Sequence, residues 1–223
     1  MKQKLVIAID GYSSTGKSSI SKEIAKRLGL IHIDTGALYR AITWYTLQNC
    51  KTRDGSLNLN LLTMLLPKIN INLKPSNGKA EVFLNGKNVE SEIRTIQVSE
   101  NVSDIAKTPE VRAFLLDTQR KIAENGGVIM DGRDIGSVVL PNADFKFFLT
   151  ASADERAKRR YLELKNTGVK VSVEEVKRNL LERDKKDSER AIAPLVCTED
   201  AILIDNTHLD KEQSIAEIIS HIQ

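Results

Sequence analysis

The segment Gly11-Tyr12-Ser13-Ser14-Thr15-Gly16-Lys17-Ser18 fits G-x-x-x-x-G-K-[ST] and lies between an apolar run at residues 5–9 and a helical pattern. A strand that ends on this loop and restarts as a helix narrows the fold sharply. The two glycines permit a tight turn whose backbone N–H groups converge on phosphate oxygens, and the following helix aims its positive end at the same point. Lys17 adds a mobile charge toward the β- and γ-phosphates, and the Ser18 hydroxyl is a ligand for Mg²⁺.

Four more short runs, at residues 31–33, 128–130, 145–149 and 201–204, are rich in branched or aromatic residues and apolar on both faces. With helical patterns between most of them, they predict βαβ units and a parallel, doubly wound sheet. Ser152 with Glu155, Ser172 with Glu175 and Asp210 with Gln213 read as capped helix starts, and Thr108-Pro109 as a cap with proline at the first helical position. Residues 69–92 break the alternation. Two apolar strand patterns there are punctuated by Asn77-Gly78 and Asn85-Gly86, which favour tight hairpins. A small antiparallel module inserted between parallel-sheet units is expected, and a helix at residues 57–66 belongs with it.

A chain of 223 residues suits one domain with insertions. Its 33 basic and 30 acidic side chains leave a formal charge of +3, too little to announce a nucleic-acid or membrane partner. Cys50 and Cys197 match no metal-ligand spacing and read as reduced thiols of a cytoplasmic protein. No signal peptide or membrane span is read, and no long apolar stripe asks for a protein partner, so a monomer is expected.

A P-loop specifies a nucleoside triphosphate and leaves the acceptor open. Three clusters bear on it. Arg40 closes Asp34-Thr35-Gly36-Ala37-Leu38-Tyr39-Arg40 one turn into the helix after the second strand, where an arginine forks onto a phosphate. Asp131-Gly132-Arg133-Asp134-Ile135-Gly136 leaves the third strand, where ligands of open α/β sheets gather, and Asp131 is placed like an acidic partner of Mg²⁺. Arg183, Asp187 and Arg190 fall on one helix face. Arg156, Arg159 and Arg160 form another one-face trio that reads as a lid over the nucleotide. Taken singly, each also reads as a solvated charge, and the basic faces as a nucleic-acid track diluted by Glu155, Glu163 and Glu174. A GTPase switch is disfavoured, because Asn101-Val102-Ser103-Asp104 lacks the guanine-reading lysine.

These motifs, with Ile93-Arg94-Thr95, Glu182-Arg183-Asp184 and Ala193-Pro194-Leu195, resemble the bacterial cytidylate kinase family almost end to end. The resemblance implies an α/β, P-loop NTPase-type fold with a five-stranded parallel sheet. It also implies a nucleoside-monophosphate-binding insert at residues 57–96 and a helical lid at 152–175. The implied reaction is Mg²⁺-dependent transfer from ATP to CMP or dCMP, with another nucleoside monophosphate or dephospho-coenzyme A as the alternative acceptor. By matching position, Gly11, Tyr12, Ser13, Ser14, Thr15, Gly16, Lys17, Ser18, Ser19 and Arg159 take ATP, and Ser18 and Asp131 the metal. Thr35, Arg40, Arg133 and Arg190 take the acceptor phosphate, Arg183 and Asp187 the ribose, and Ser103, Arg112 and Asp134 the cytosine. Lys17, Arg133, Arg156 and Arg160 act on the transferring group. The base assignment has its own logic: an aspartate accepts from the N4 amino group that cytosine offers and uracil lacks. Tyr12 departs from the family, which commonly has proline there.

Overall fold

The computed structural model describes residues 4–76, 79–166 and 168–222, with residues 75, 76 and 79 through their backbone only. The first strand, β1 (Val6–Gly11), runs into the loop and then α1 (Lys17–Leu28). Next come β2 (Ile31–Asp34), α2 (Thr35–Asn49) and α3 (Leu59–Leu65), the last continued by a 3₁₀ turn at Leu66–Lys68. The predicted 57–66 helix therefore starts later, because Asn58 caps it by accepting the Leu61 N–H.

A small antiparallel sheet follows, built from β3 (Ile71–Ser76), β4 (Lys79–Leu84) and β5 (Lys87–Asn88). Asn85 and Gly86 link β4 to β5 with φ of 50° and 83°, the doubly left-handed turn that Asn-Gly favours. The Asn77-Gly78 expectation lies outside the described residues. Helices α4 (Ile96–Ile105) and α5 (Pro109–Ala123) lead to β6 (Val128–Asp131), a π-helical turn at Ile135–Val139 and β7 (Phe145–Thr150). The chain ends with α6 (Ala153–Asn166), α7 (Val173–Glu189), β8 (Ile202–Asp205) and α8 (Lys211–Ser220).

The main sheet is parallel, in the order β2-β6-β1-β7-β8. Alternate residues of each strand feed different cores. Ile7 and Ile9 pack with Ile20 and Ile24 of α1, Phe147, and Ile215 and Ile218 of α8. Ala8, Ile33 and Met130 point the other way, toward Ile135 and Val139. A third core joins α2 to α5 and the small sheet through residues such as Leu38, Ile42, Leu62, Val82 and Leu115. Ala157, Val176 and Leu180 bind α6 to α7. This arrangement puts Gly11, Asp34, Asp131 and Asn206, each at or just past a carboxyl strand end, along one rim. Both cysteines are free, Cys50 buried and Cys197 exposed. Among the described residues no helix is long and apolar enough to cross a membrane.

Candidate active site

Gly11 and Gly16 take φ of 141° and 87°, and a Cβ on Gly11 would stand 2.0 Å from the carbonyl oxygen of Leu149 on the neighbouring strand. Only glycine lets β1 leave the sheet here. The loop is braced from within: the Thr15 hydroxyl donates to the Tyr12 carbonyl at 3.1 Å, and Lys17 Nζ donates to that same carbonyl and to Thr15 Oγ1. Ser19 Oγ donates to the Gly16 carbonyl at 2.9 Å. Lys17 is buried, and burial together with nearby Arg133 holds its ammonium pKa well below the usual value, against Asp131 and Asp10, which raise it.

Ser18 Oγ donates to Asp131 Oδ2 at 2.6 Å, joining the loop to the end of β6. A hydroxyl and a carboxylate meeting there suit a hard divalent cation. Among the described residues no group of three or more His, Cys, Asp or Glu side chains forms a protein-only cage. That donor set fits a cation that keeps much of its water shell and shares phosphate oxygens, as Mg²⁺ does.

Beside the loop lies a dense group of arginines and aspartates. Asp34 caps α2 through the Ala37 N–H, while its other oxygen accepts Arg40 at 2.7 Å and Arg94 at 3.1 Å. The Thr35 hydroxyl donates to the Asp131 carbonyl at 2.8 Å. Arg133 donates to Asp187 at 2.9 Å, Ser103 donates to the second oxygen of Asp187 at 3.3 Å, and Arg183 Nε stands 4.0 Å away. Asp134 accepts Arg112 on one oxygen and Arg190 on the other, while Arg190 also donates to the Ala193 carbonyl at 2.6 Å. The nine residues expected to take the acceptor therefore stand in separate hydrogen-bonded or ion-paired groups, around Asp34, Asp131, Asp134 and Asp187, whose charges act on one another.

The cluster carries unspent positive charge. Burial and Arg133 push the Arg183 guanidinium down to about 10, and burial with Arg94 and Arg133 lowers that of Arg40. Arg40 Nε and Arg183 Nε are buried N–H donors with no acceptor. Asp34 responds oppositely: burial alone would raise it, but Arg40 and Arg94 hold it at about 2. Its unfolded-state value is near 4. Its ion pairs thus add stability that is present above pH 4 and lost as pH falls through about 2. Urea titrations of Asp34→Asn against the parent should show a deficit of roughly 2 kcal/mol at pH 5, shrinking by about half at pH 3. A deficit that does not change with pH would contradict this coupling.

The structure divides the predicted lid trio. Arg156 lies behind the loop, 5% exposed, donating to the carbonyls of Ala151 and Ser13 and to Asp184, with its guanidinium 5.2 Å above the Tyr12 ring. Tyr12 also meets Phe148 edge-on at 5.7 Å, so its ring fills the space under the loop. Arg159 grips Asn206 through the side-chain and backbone oxygens, and Asn206 Nδ2 donates to the Thr15 carbonyl at 2.8 Å. Arg160 is the most exposed of the three, bonded to Glu163 at 2.8 Å yet near enough to Arg183 to help lower its pKa.

Sequence reasoning missed several members. Asp184 accepts the Ser13 N–H at 3.3 Å as well as Arg156, although its motif was in view. Asn206, 1% exposed, carried no signal. Asp10 accepts the N–H groups of Ile135 and Gly136 at 2.8 and 2.7 Å, linking the donor loop's strand to the turn after Asp134. Burial pushes its carboxyl up to about 6 against those two hydrogen bonds.

A P-loop with its buried lysine and a serine bonded to Asp131, beside arginines with unpaired N–H groups, is the arrangement of a P-loop phosphotransferase. Residues 7–223 match the cytidylate kinase family model. The chain is 48% identical over 219 residues to a cytidylate kinase of Flavobacterium johnsoniae, covering 97% of this chain and 95% of that one. It is 49% identical over 214 residues to one of Alkaliphilus oremlandii, covering 96% and 95%. This chain belongs to the cytidylate kinase family. An uncharacterized protein from Eubacterium ventriosum shares the fold, at 16% identity with a TM-score of 0.51 over 99% of this chain and 98% of that one.

Proposed function

We propose that this protein transfers the γ-phosphoryl group of ATP to CMP or dCMP, giving ADP and CDP or dCDP. The observation that carries the acceptor half is the pair of buried guanidinium N–H groups on Arg40 and Arg183 that lack an acceptor, with Arg183 also acting electrostatically on Lys17. A phosphate monoester and a ribose hydroxyl supply the missing acceptors. Thr35, Arg40, Arg133 and Arg190 hold the phosphate, and Arg183 and Asp187 the sugar. Asp134 accepts from the cytosine amino group, with Ser103 and Arg112 beside it. The P-loop from Gly11 to Ser19 holds the ATP phosphates, with Arg159 behind it through Asn206.

Chemistry then needs little beyond position and charge. The acceptor phosphate is largely dianionic near neutral pH, so no general base is required. Arg133 sits close enough to Lys17 to lower its pKa, so the two charges flank the space between donor and acceptor. Ser18 and Asp131 would hold the Mg²⁺, which neutralises charge building on the β- and γ-oxygens. Arg160, freed from Glu163, is positioned to complete a lid of residues 152–175 that excludes water. The insert at residues 57–96 supplies Arg94, which fixes Asp34 and through it Arg40. The protein is read as a cytoplasmic monomer, and its free thiols accord with a reducing compartment.

An ADP-release panel over CMP, dCMP, UMP, AMP and GMP tests the reading. CMP and dCMP should lead, and Asp134→Asn should lower kcat/KM for CMP by about 10²-fold, since the amide presents a donor where the amino group needs an acceptor. Preference for UMP, or activity on none of the five, would overturn the cytosine assignment.

A further inference from the structure

His32 lies at the middle of β2, the edge strand beside β6, and takes no part in the site derived above. Its register partner is Ile129, yet its ring reaches forward to the last residue of β6, with Nε2 2.6 Å from Asp131 Oδ1. The side chain is only 12% exposed. An ionised carboxylate can only accept, so Nε2 carries the hydrogen. Asp131 is consequently held at three points: Oδ1 by His32, Oδ2 by the Ser18 hydroxyl and its backbone carbonyl by Thr35.

These three contacts differ in consequence. Thr35 fixes the backbone, and Ser18 must share its oxygen with the cation once MgATP is bound. His32 is the partner that can hold the carboxylate plane throughout. We propose that His32 is a positioning residue for the divalent cation of MgATP, acting through Asp131. This rests on the assignment of Ser18 and Asp131 to the metal. An aspartate at a strand end has two free side-chain torsions, and a cation held partly through water tolerates little error in where the carboxylate points. Hydrogen-bonding partners of metal-holding carboxylates typically change metal affinity 10–100-fold when removed.

The test is Mn²⁺ binding followed by electron paramagnetic resonance, with a non-hydrolysable ATP analogue and no CMP, for the full chain and for His32→Ala and His32→Gln. Glutamine keeps an N–H donor near the Nε2 position. The parent should bind Mn²⁺ in the ternary complex more tightly than the free analogue does. His32→Ala should weaken that binding about tenfold, and His32→Gln should recover most of the loss. Calorimetric CMP affinity should stay within about twofold in both variants. Mn²⁺ affinity within twofold of the parent in His32→Ala overturns the proposal alone, as does an equal weakening of Mn²⁺ and CMP binding, which marks mere support of β2. A parent that binds Mn²⁺ no better than the free analogue overturns the metal assignment itself.

Discussion

Replacing Lys17 with alanine is expected to lower kcat by roughly 10³-fold or more while changing CMP affinity far less. The two halves of that expectation have one origin. Lys17 is the buried charge of the loop, and its ammonium rests on the Tyr12 carbonyl and Thr15 hydroxyl. Burial and Arg133 disfavour its charge in that state. The β- and γ-phosphates supply the counter-charge it lacks, most strongly when the transferring group spreads charge over its oxygens, so the loss appears chiefly in kcat. Losing Lys17 relieves repulsion on Arg133 but also removes a positive charge near the acceptor phosphate, and because these two changes oppose each other CMP affinity should move far less than kcat. A coupled ADP-release assay and calorimetry with CMP read the two quantities separately. Near-normal turnover in Lys17→Ala would refute the mechanism, and a large loss of CMP affinity would refute the charge argument.

Arg156→Ala should be strongly destabilising, by about 3–5 kcal/mol in urea unfolding. Its guanidinium makes protein contacts in nearly every direction: two backbone carbonyls, the Asp184 carboxylate and the face of Tyr12. Truncation strands a carboxylate that is 7% exposed and that keeps the Ser13 N–H as its partner among the described residues. The cost is that of an uncompensated buried charge and greatly exceeds the worth of an exposed ion pair. The double change Arg156→Ala, Asp184→Ala should therefore cost less than the sum of the single changes. If Arg156→Ala cost under about 1 kcal/mol yet abolished turnover, the side chain would act on phosphate and its resting contacts would be secondary.

What the sequence discloses and what it hides divide along physical lines. The five parallel strands are legible because each is rich in branched or aromatic residues, although only the three inner strands are buried on both faces while β2 and β8 expose Ile31 and Leu203. The observed strand starts shift by at most one residue from residues 5, 31, 128, 145 and 201. The P-loop is legible because its glycines and lysine are contiguous. The nine acceptor residues were placed by resemblance, and the structure adds the hydrogen bonds that hold most of them to Asp34, Asp131, Asp134 and Asp187. Asp10, His32, Asn206 and the role of Asp184 were not legible, since each acts on a partner far along the chain. His32 meets Asp131 and Asn206 meets Thr15 only after the sheet has formed. The arginines of α6 show the limit of periodicity: spacing puts Arg156, Arg159 and Arg160 on one side of a helix, but what that side meets differs along its length. β5 is two residues long, too short for any alternation to show.

The strand order also bears on how the chain is made. β1 emerges early from the ribosome yet occupies the middle of the sheet, and its two neighbours pair Ile7 with Ile129 and with Phe145. During synthesis it must wait as an unpaired apolar ribbon until both have been translated. The core built by α2 to α5 and the small sheet draws only on residues 37–115, so it can condense first. The scaffold of α2 to α5 can thus form before the loop is fixed, although the loop is encoded ahead of it.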